Sequence, residues 1–279
     1  MKRCIPILFV LLASHLSAKE VTETETIEKE LAVEDPSSDF TIVVDNVFGS
    51  VAIKGSAGKT VRAHIRKSIW ARSPEQFDQA KADVALEILQ ETDLIEFYVD
   101  GPFRDDGKHN SSWNTNRYTV TYDFKIDMPR DMSIDIRTVN DGDIIVEEFG
   151  GPYQVHNVNG GIRMDGLRGS GDAVTVNGDI SCRFDENPES DCDFKSINGD
   201  IRLYFSGPLS ADVAFETLNG EMFSDFSVSR VPESRFVQVK KNGKTFYKAK
   251  RPMKVRLGGG GPLLSASGIN GNLYVLKVR

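Results

Sequence analysis

The chain has 279 residues, 34 of them Lys or Arg against 41 Asp or Glu. That acidic balance gives solubility and disfavours nucleic acid or an anionic membrane surface as partner. No set of residues in it rises to a defined chemical activity, so what the sequence yields first is architecture and compartment.

Residues 1–18 begin with Lys2 and Arg3, run apolar from Ile5 to Leu12 and end Leu16-Ser17-Ala18, the pattern of a secretory signal cut after Ala18. The apolar run is too short to span a bilayer comfortably. Its removal takes two basic residues and leaves 32 against 41, a mature charge of minus 9 with no transmembrane segment expected. Residues 19–36 are rich in Glu and Thr with little to bury, and read as an acidic exposed leader. The rest, 37–279, reads as a single domain divided into 37–128, 129–228, 229–257 and 258–279.

From Phe40 the alternation of a strand begins, through Ile42 and Val44, and Gly49, Val51 and Ile53 form a degenerate first unit of the repeat described below. Gly55-Ser-Ala-Gly58-Lys59-Thr60 has the tail of a phosphate-binding loop, but Ile53 stands where that loop needs its first Gly, and the following residues alternate like a strand. A plain turn is the reading. Ser73-Pro74-Glu75-Gln76 is an N-cap, a Pro at the first helical position and a capping-box Gln, predicting a helix to about Ala82. A hairpin is expected across Glu91-Thr-Asp93, and Tyr118 to Ile126 alternates as a further strand that Pro129 ends.

The repeat follows. Asn140, Asn159, Asn177, Asn198, Asn219 and Asn270 each open a corner whose glycines, Gly142, Gly160, Gly178, Gly199, Gly220 and Gly271, are spaced 18, 18, 21, 21 and 51 residues apart. A near-fixed period of this length predicts an all-β fold, a parallel β-solenoid of strand-corner-strand coils. Counting from each Asn, apolar side chains recur every second residue, giving inward rows such as Ile136, Val155, Ala173, Phe194, Phe215 and Ala266, and Ile162, Ile180, Ile201, Met222 and Leu273. One coil cannot bury its apolar side alone, so successive coils must stack. The corner glycines are expected to supply positive φ. A meander of hairpins is the competing reading; the constancy of the corner favours stacking. The 51-residue interval holds an excursion, a hairpin turning at Asn242-Gly243, before a final coil.

The run from Ile126 to Asn140 and the Asn-Gly-Asp-Ile units after it resemble the DUF4097 family of bacterial proteins, often labelled adhesins, and are similar to the related head GIN-domain adhesins. The resemblance implies a bacterial envelope setting and a β-solenoid fold, and it brings no catalytic residues.

Candidate sites are few. Asp179, Asp200 and Glu221 hold equivalent outward positions in successive units, so three carboxylates would form a ridge of like charge. A calcium ion could offset it, and Arg163 and Arg202 offer the alternative compensation in solvent. No metal or cofactor is assigned. Cys182 and Cys192 are both inward, and in an oxidising compartment they are candidates for a disulfide contributing about 2 to 3 kcal/mol, with buried thiols as the alternative. Thr175, Ser196, Thr217 and Asn157 share a row beside the corners and read as an internal hydrogen-bonded ladder. Residues 101–116 form a long loop in which Asp105, His109 and Trp113 are candidates for holding a sugar ring, or simply link two strands.

The chain therefore reads as an exported protein of the periplasm or outer envelope, or a secreted one, adhesin-like and non-enzymatic, with a protein or glycan as partner. A carbohydrate-active enzyme or glycan-binding module on a β-helix is the alternative, and it would need convergent acidic and basic groups in a groove.

Overall fold

The computed structural model describes residues 9–16, 20–104, 117–230, 236–241, 244–249 and 253–278, with the backbone alone for 9–16, 230, 236–241 and 244–249. The described residues are almost all β, mostly parallel, with one helix, and the chain divides into two compact units, 1–160 and 161–279. Each unit is built of coils that place one strand in each of two sheets.

In unit 1 the strands are β1 (Phe9–Leu16), β2 (Val21–Ala32), β3 (Thr41–Asp45), β4 (Val51–Ser56) and β5 (Thr60–Ala71), followed by helix α1 (Pro74–Asp83). Then come β6 (Ala85–Gln90), β7 (Leu94–Asp100), β8 (Tyr118–Pro129), β9 (Ser133–Arg137), β10 (Ile144–Glu147) and β11 (Tyr153–His156). One sheet runs β1-β2-β5-β8-β4-β10 and the other β6-β7-β3-β9-β11. Parallel register fixes the coil columns: Ile42 lies beside Ile134 and Ile134 beside Tyr153, all buried. Strand β5 runs antiparallel to both β2 and β8, and together they extend the first sheet beyond its coils. Ser73 caps α1 as expected, its side chain accepting from the Gln76 N–H at 3.4 Å, and β6 and β7 form the expected antiparallel pair. A short bend at 57–59 joins β4 to β5 where the phosphate-loop decoy lay.

The segment expected to be an exposed leader is instead strand β2, paired residue by residue with β5 from Val21↔Ala71 to Ala32↔Thr60. Its acidic composition suggested solvent. The physical reason it folds is the opposite strand: β5 completes its backbone ladder and Ile27 and Leu31 are buried, while on the exposed face Glu30 meets Arg62 at 3.1 Å and Glu28 meets His64 at 3.4 Å.

Unit 2 contains β12 (Ile162–Leu167), β13 (Gly171–Asn177), β14 (Ile180–Phe184), β15 (Cys192–Asn198), β16 (Ile201–Phe205), β17 (Ala211–Asn219) and β18 (Met222–Ser224). After them come β19 (Val228–Arg230), β20 (Phe236–Lys241), β21 (Lys244–Ala249), β22 (Met253–Leu257), β23 (Leu263–Asn270) and β24 (Leu273–Lys277). Its first sheet runs β12-β14-β16-β24-β18, parallel throughout, and its second β13-β15-β23-β17-β22-β19. The core between them is aromatic at its centre: Phe184 stacks on Phe205 at 5.0 Å and meets Phe194 of the other sheet edge-on at 6.5 Å.

The order of coils departs from chain order. Strands β23 and β24 come last in sequence but insert between the coil β15/β16 and the coil β17/β18. The excursion makes this attainable, because its 51 residues let β17 and β18 be laid down one coil away from β15 and β16 and the chain return to fill the gap. The hairpin β20/β21 pairs only with itself, and β22 runs antiparallel along β17.

The expected positive φ is found at the corner glycines Gly49 (112°) and Gly271 (157°), while at four others the requirement is a different one. Gly142, Gly160, Gly199 and Gly220 do not have left-handed φ values. Each lies against the corner backbone of its neighbour, so that an added Cβ would sit 2.0 Å from the Gly178 carbonyl oxygen at Gly199 and 1.8 Å from that of Gly271 at Gly220. Close stacking excludes every other residue.

Candidate binding surface

The corners of unit 2 carry two hydrogen-bonded ladders. Each Asn amide donates to the Asn oxygen of the next coil: Asn198 to Asn177 at 2.8 Å, Asn270 to Asn198 at 2.8 Å and Asn219 to Asn270 at 2.9 Å. Two residues on, a side-chain oxygen accepts the neighbouring backbone N–H, Asp179 from Asp200, Asp200 from Asn272 and Asn272 from Glu221. This explains the short Asx side chain at that position: its oxygen reaches a backbone donor one coil away that the turn leaves unpaired.

The three-carboxylate ridge is corrected by the same geometry. Asn272 stands between Asp200 and Glu221, and Arg202 bridges the remaining pair, at 2.6 Å from Asp179 and 2.5 Å from Asp200. Burial works against the Arg202 charge, but the hydrogen bond and charge of Asp179, with Asp200, outweigh it and raise its pKa. Among the described residues no group of three or more His, Cys, Asp or Glu is placed to hold a metal ion.

Cys182 and Cys192 are both buried, and the structure holds them as thiols in place of the expected disulfide. They sit on different sheets, Cys182 in β14 beside Leu203 and Cys192 in β15 beside Leu264. Burial, and secondarily the neighbouring Cys192, pushes the Cys182 thiol well above its ordinary pKa. Asp105, His109 and Trp113 lie outside the described residues. At the start of their loop, Phe103 packs edge-on against Phe48 at 5.9 Å, and Arg104 pairs with Asp45 at 2.8 Å while lying over the Tyr98 ring.

Beside the corners, the row of hydroxyls and amides is internal. Thr138 donates to Gly49, Asn157 to Gly142, Ser196 to Gly178 and Thr217 to Gly271, each onto the carbonyl of a neighbouring corner. The inserted coil has Gly268 in this row, where a Cβ would lie 2.4 Å from the Ser196 carbonyl oxygen. A surface hollow of about 380 Å³ lies beside this row, with Ser196, Thr217 and Gly268 in its lining.

An aliphatic column borders that hollow. Ile197, Ile269 and Leu218 immediately precede the ladder asparagines in adjacent coils and are 41%, 43% and 75% exposed. Outward positions on the same strands otherwise carry Lys195, Ser267 and Glu216, so three aliphatic groups in register are an exception to the strand pattern. Sequence reasoning missed this column. The signal was present, because the residue before the corner Asn is Val139, Val158, Val176, Ile197, Leu218 and Ile269 in the six units.

A second depression, of about 550 Å³, lies on the other sheet between Arg163, Asp165, Arg183, Tyr204, Asp225 and Lys277. It has the mixed charges that an enzyme reading would need. Its carboxylates are engaged, Asp165 with Arg183 at 3.9 Å and Asp225 with the Lys277 backbone N–H at 3.2 Å.

Stacked two-strand coils, each corner closed by a glycine and tied by Asx ladders, define a β-solenoid-like protein. Residues 122–252 match the Toastrack DUF4097 family, so the resemblance read from the repeat holds over that stretch. No curated protein matches the chain in sequence. Among solved structures it is similar to a proposed cell adhesion protein from Clostridium sporogenes, with TM-score 0.43 and 10% identity over 90% of this chain and 99% of that one. It is similar also to a proposed adhesin from Bacteroides fragilis, with TM-score 0.38 and 9% identity over 91% and 97% of the two chains. A third is a proposed lipid binding protein from Parabacteroides distasonis, with TM-score 0.29 and 10% identity over 91% and 97%. Likeness at this depth carries no functional information.

Proposed function

We propose that the protein is an exported, non-enzymatic binding protein of the cell envelope, adhesin-like in character, whose partner is a protein chain. The observation that carries this reading is the column Ile197, Ile269 and Leu218, held in register on rigid strands and left in water. Covering one such side chain fully contributes roughly 1.5 to 3 kcal/mol, which makes an uncovered column costly unless something docks on it. Its aliphatic chemistry suits a protein surface. The Toastrack DUF4097 match and the signal-like start of the chain support the same assignment of role and compartment.

The test is retention of envelope proteins by immobilised wild type and by Leu218→Asp, with fractionation of the native cell alongside. A partner held by the wild type and released by Leu218→Asp supports the reading. Equal retention by both, or an uncut chain recovered from the cytosol, defeats it. A glycan-binding module is favoured as second reading by one feature, the ladder in which Arg202 lies over Tyr274 at 5.3 Å and Tyr274 stacks on half-exposed Phe223 at 5.1 Å. Glycan binding lost in Phe223→Ala and kept in Leu218→Asp would select it.

A further inference from the structure

The acidic net charge of the chain is an average over two very unequal parts. Between Arg235 and Arg256 there are nine Lys or Arg and no Asp or Glu. Taking those nine from the 34 basic residues leaves 25 against 41 acidic, a charge of minus 16 on everything else. A whole-chain balance that disfavours anionic partners therefore conceals a strongly cationic arm.

The fold sets this arm apart. Among the described residues, strands β20 and β21 join neither large sheet and pair only with each other. A lone two-stranded hairpin is marginal in water and gains order when a surface supports it. Its register sorts the residues: Val237 opposes Lys248, Val239 opposes Phe246 and Lys241 opposes Lys244, so these six share one face. That face has an apolar centre and lysines towards both ends. In the adjoining β22, Lys254 is exposed, while Arg256 is occupied by Asp212 at 2.8 Å.

We propose that this arm docks the protein on an anionic phospholipid surface, with Lys241, Lys244 and Lys248 at headgroup phosphates and the Val237, Val239 and Phe246 patch at the headgroup boundary. Apolar residues with lysines at both ends of one face match a surface that offers anionic groups above hydrocarbon, which neither a nucleic acid nor a polysaccharide does. The acidic remainder does not oppose this at physiological salt, since its repulsion is screened beyond about 8 Å. The arm stands on charge and register, independently of the aliphatic column.

The test is flotation of the full chain with vesicles of phosphatidylcholine alone and of phosphatidylcholine with phosphatidylglycerol. Binding is expected only with the anionic lipid and is expected to fall steeply between about 0.1 and 0.5 M salt. Each lysine near such a surface contributes about a fivefold gain in affinity, so Lys241→Glu/Lys244→Glu/Lys248→Glu is expected to lose on the order of 100-fold. The same change in total charge placed elsewhere, as Lys54→Glu/Lys59→Glu/Lys125→Glu, is expected to lose less than about threefold. Equal binding to neutral vesicles, salt-insensitive binding, or retention of affinity by the arm variant overturns the proposal. So does dextran sulfate competing as well as lipid does, which would assign the arm to soluble polyanions. Salt dependence is read on the wild type, so a misfolded variant cannot rescue the idea.

Discussion

Units 1 and 2 use the same corner and the same two-sheet coil, yet they cover their coils differently. In unit 1 the coil sheets are continued by long antiparallel strands, with Ile65 and Ile69 of β5 and Val99 of β7 buried. Ion pairs such as Glu30 with Arg62 and Glu28 with His64 then face solvent. In unit 2 the outermost strands of the two sheets are β18 and β19, of three residues each. All six large apolar side chains exposed among the described residues, Ile197, Leu218, Phe223, Val228, Met253 and Ile269, belong to it. A stacked coil always presents an apolar flank to whatever comes next, and how much of it stays wet depends on the length of the covering strand. Unit 1 spends its irregular segments on cover; unit 2 leaves apolar side chains exposed.

The feature common to both units gives the largest predicted effect. Gly199→Ala drives a Cβ to 2.0 Å from a backbone oxygen that cannot move without shifting the whole ladder, and is expected to cost about 4 kcal/mol or more. Gly207→Ala, with nothing within 4 Å of its Cβ, is expected to change stability by no more than about 0.5 kcal/mol. Chemical denaturation of the two variants compares them, and similar losses would mean that corner contact is not what the repeat preserves.

Next in size is the core of unit 2. Cys182→Ser puts a hydroxyl into a site lined by Met164 and Leu203, and is expected to cost about 2 kcal/mol. In the native protein both thiols are expected to resist alkylation at neutral pH and to react in denaturant without added reductant. Reaction in denaturant only after reduction would show a disulfide instead.

Acid separates the units more finely. Asp123 of unit 1 is partly buried, which opposes its charge, but the Ser50 N–H at 3.0 Å, its hydroxyl at 2.8 Å and Arg66 at 2.9 Å outweigh this and hold its pKa below the usual carboxylate range. In unit 2 the pKa of Asp212 is lowered by its hydrogen bonds from Arg256. Each contributes stability that is present above the unfolded Asp pKa of about 3.9 and is lost as pH falls through the lower folded value. Asp123→Asn is expected to cost about 1 to 2 kcal/mol at pH 7 and to flatten the acid limb of unfolding, while Asp212→Asn, on a surface pair, costs under about 1 kcal/mol. A larger loss for Asp212→Asn would reverse the ranking of the units.

Much of this was written in the repeat. The inward rows are buried as their period of two requires, with only Met222 of the plus-three row half-exposed at the outer strand β18. Helix α1 and the β6/β7 pair followed from local capping and alternation, which are short-range physics. Three things were not legible for a common reason: each depends on a partner distant in sequence. Strand β2 folds because β5 pairs with its backbone along the whole strand and Ile27 and Leu31 are buried, with Arg62 and His64 opposite its glutamates. The insertion of β24 between β16 and β18 depends on where a 51-residue excursion returns, which periodicity does not encode. Glycine at the corner looked like a demand for positive φ, which holds at Gly49 and Gly271, whereas close stacking imposes it at Gly142, Gly160, Gly199 and Gly220.

The smallest expected effect is the one that decides whether the exposed column of unit 2 is a defect or a device. Leu218 is 75% exposed and precedes Asn219, whose amide holds the last rung of the ladder through its own side chain. Replacing Leu218 with Ser therefore leaves every rung in place and removes only wet apolar surface, so stability is expected to stay within about 0.5 kcal/mol of the wild type. If the column existed to stiffen the corner, Leu218→Ser would cost 1 kcal/mol or more by the ordinary scale of half-buried apolar contacts. Thermal denaturation of this variant beside Ile197→Ser, which is less exposed and expected to lose slightly more, separates the two cases. A neutral result at both positions leaves contact with a partner as the physical reason that the residue before the corner Asn is aliphatic in every unit.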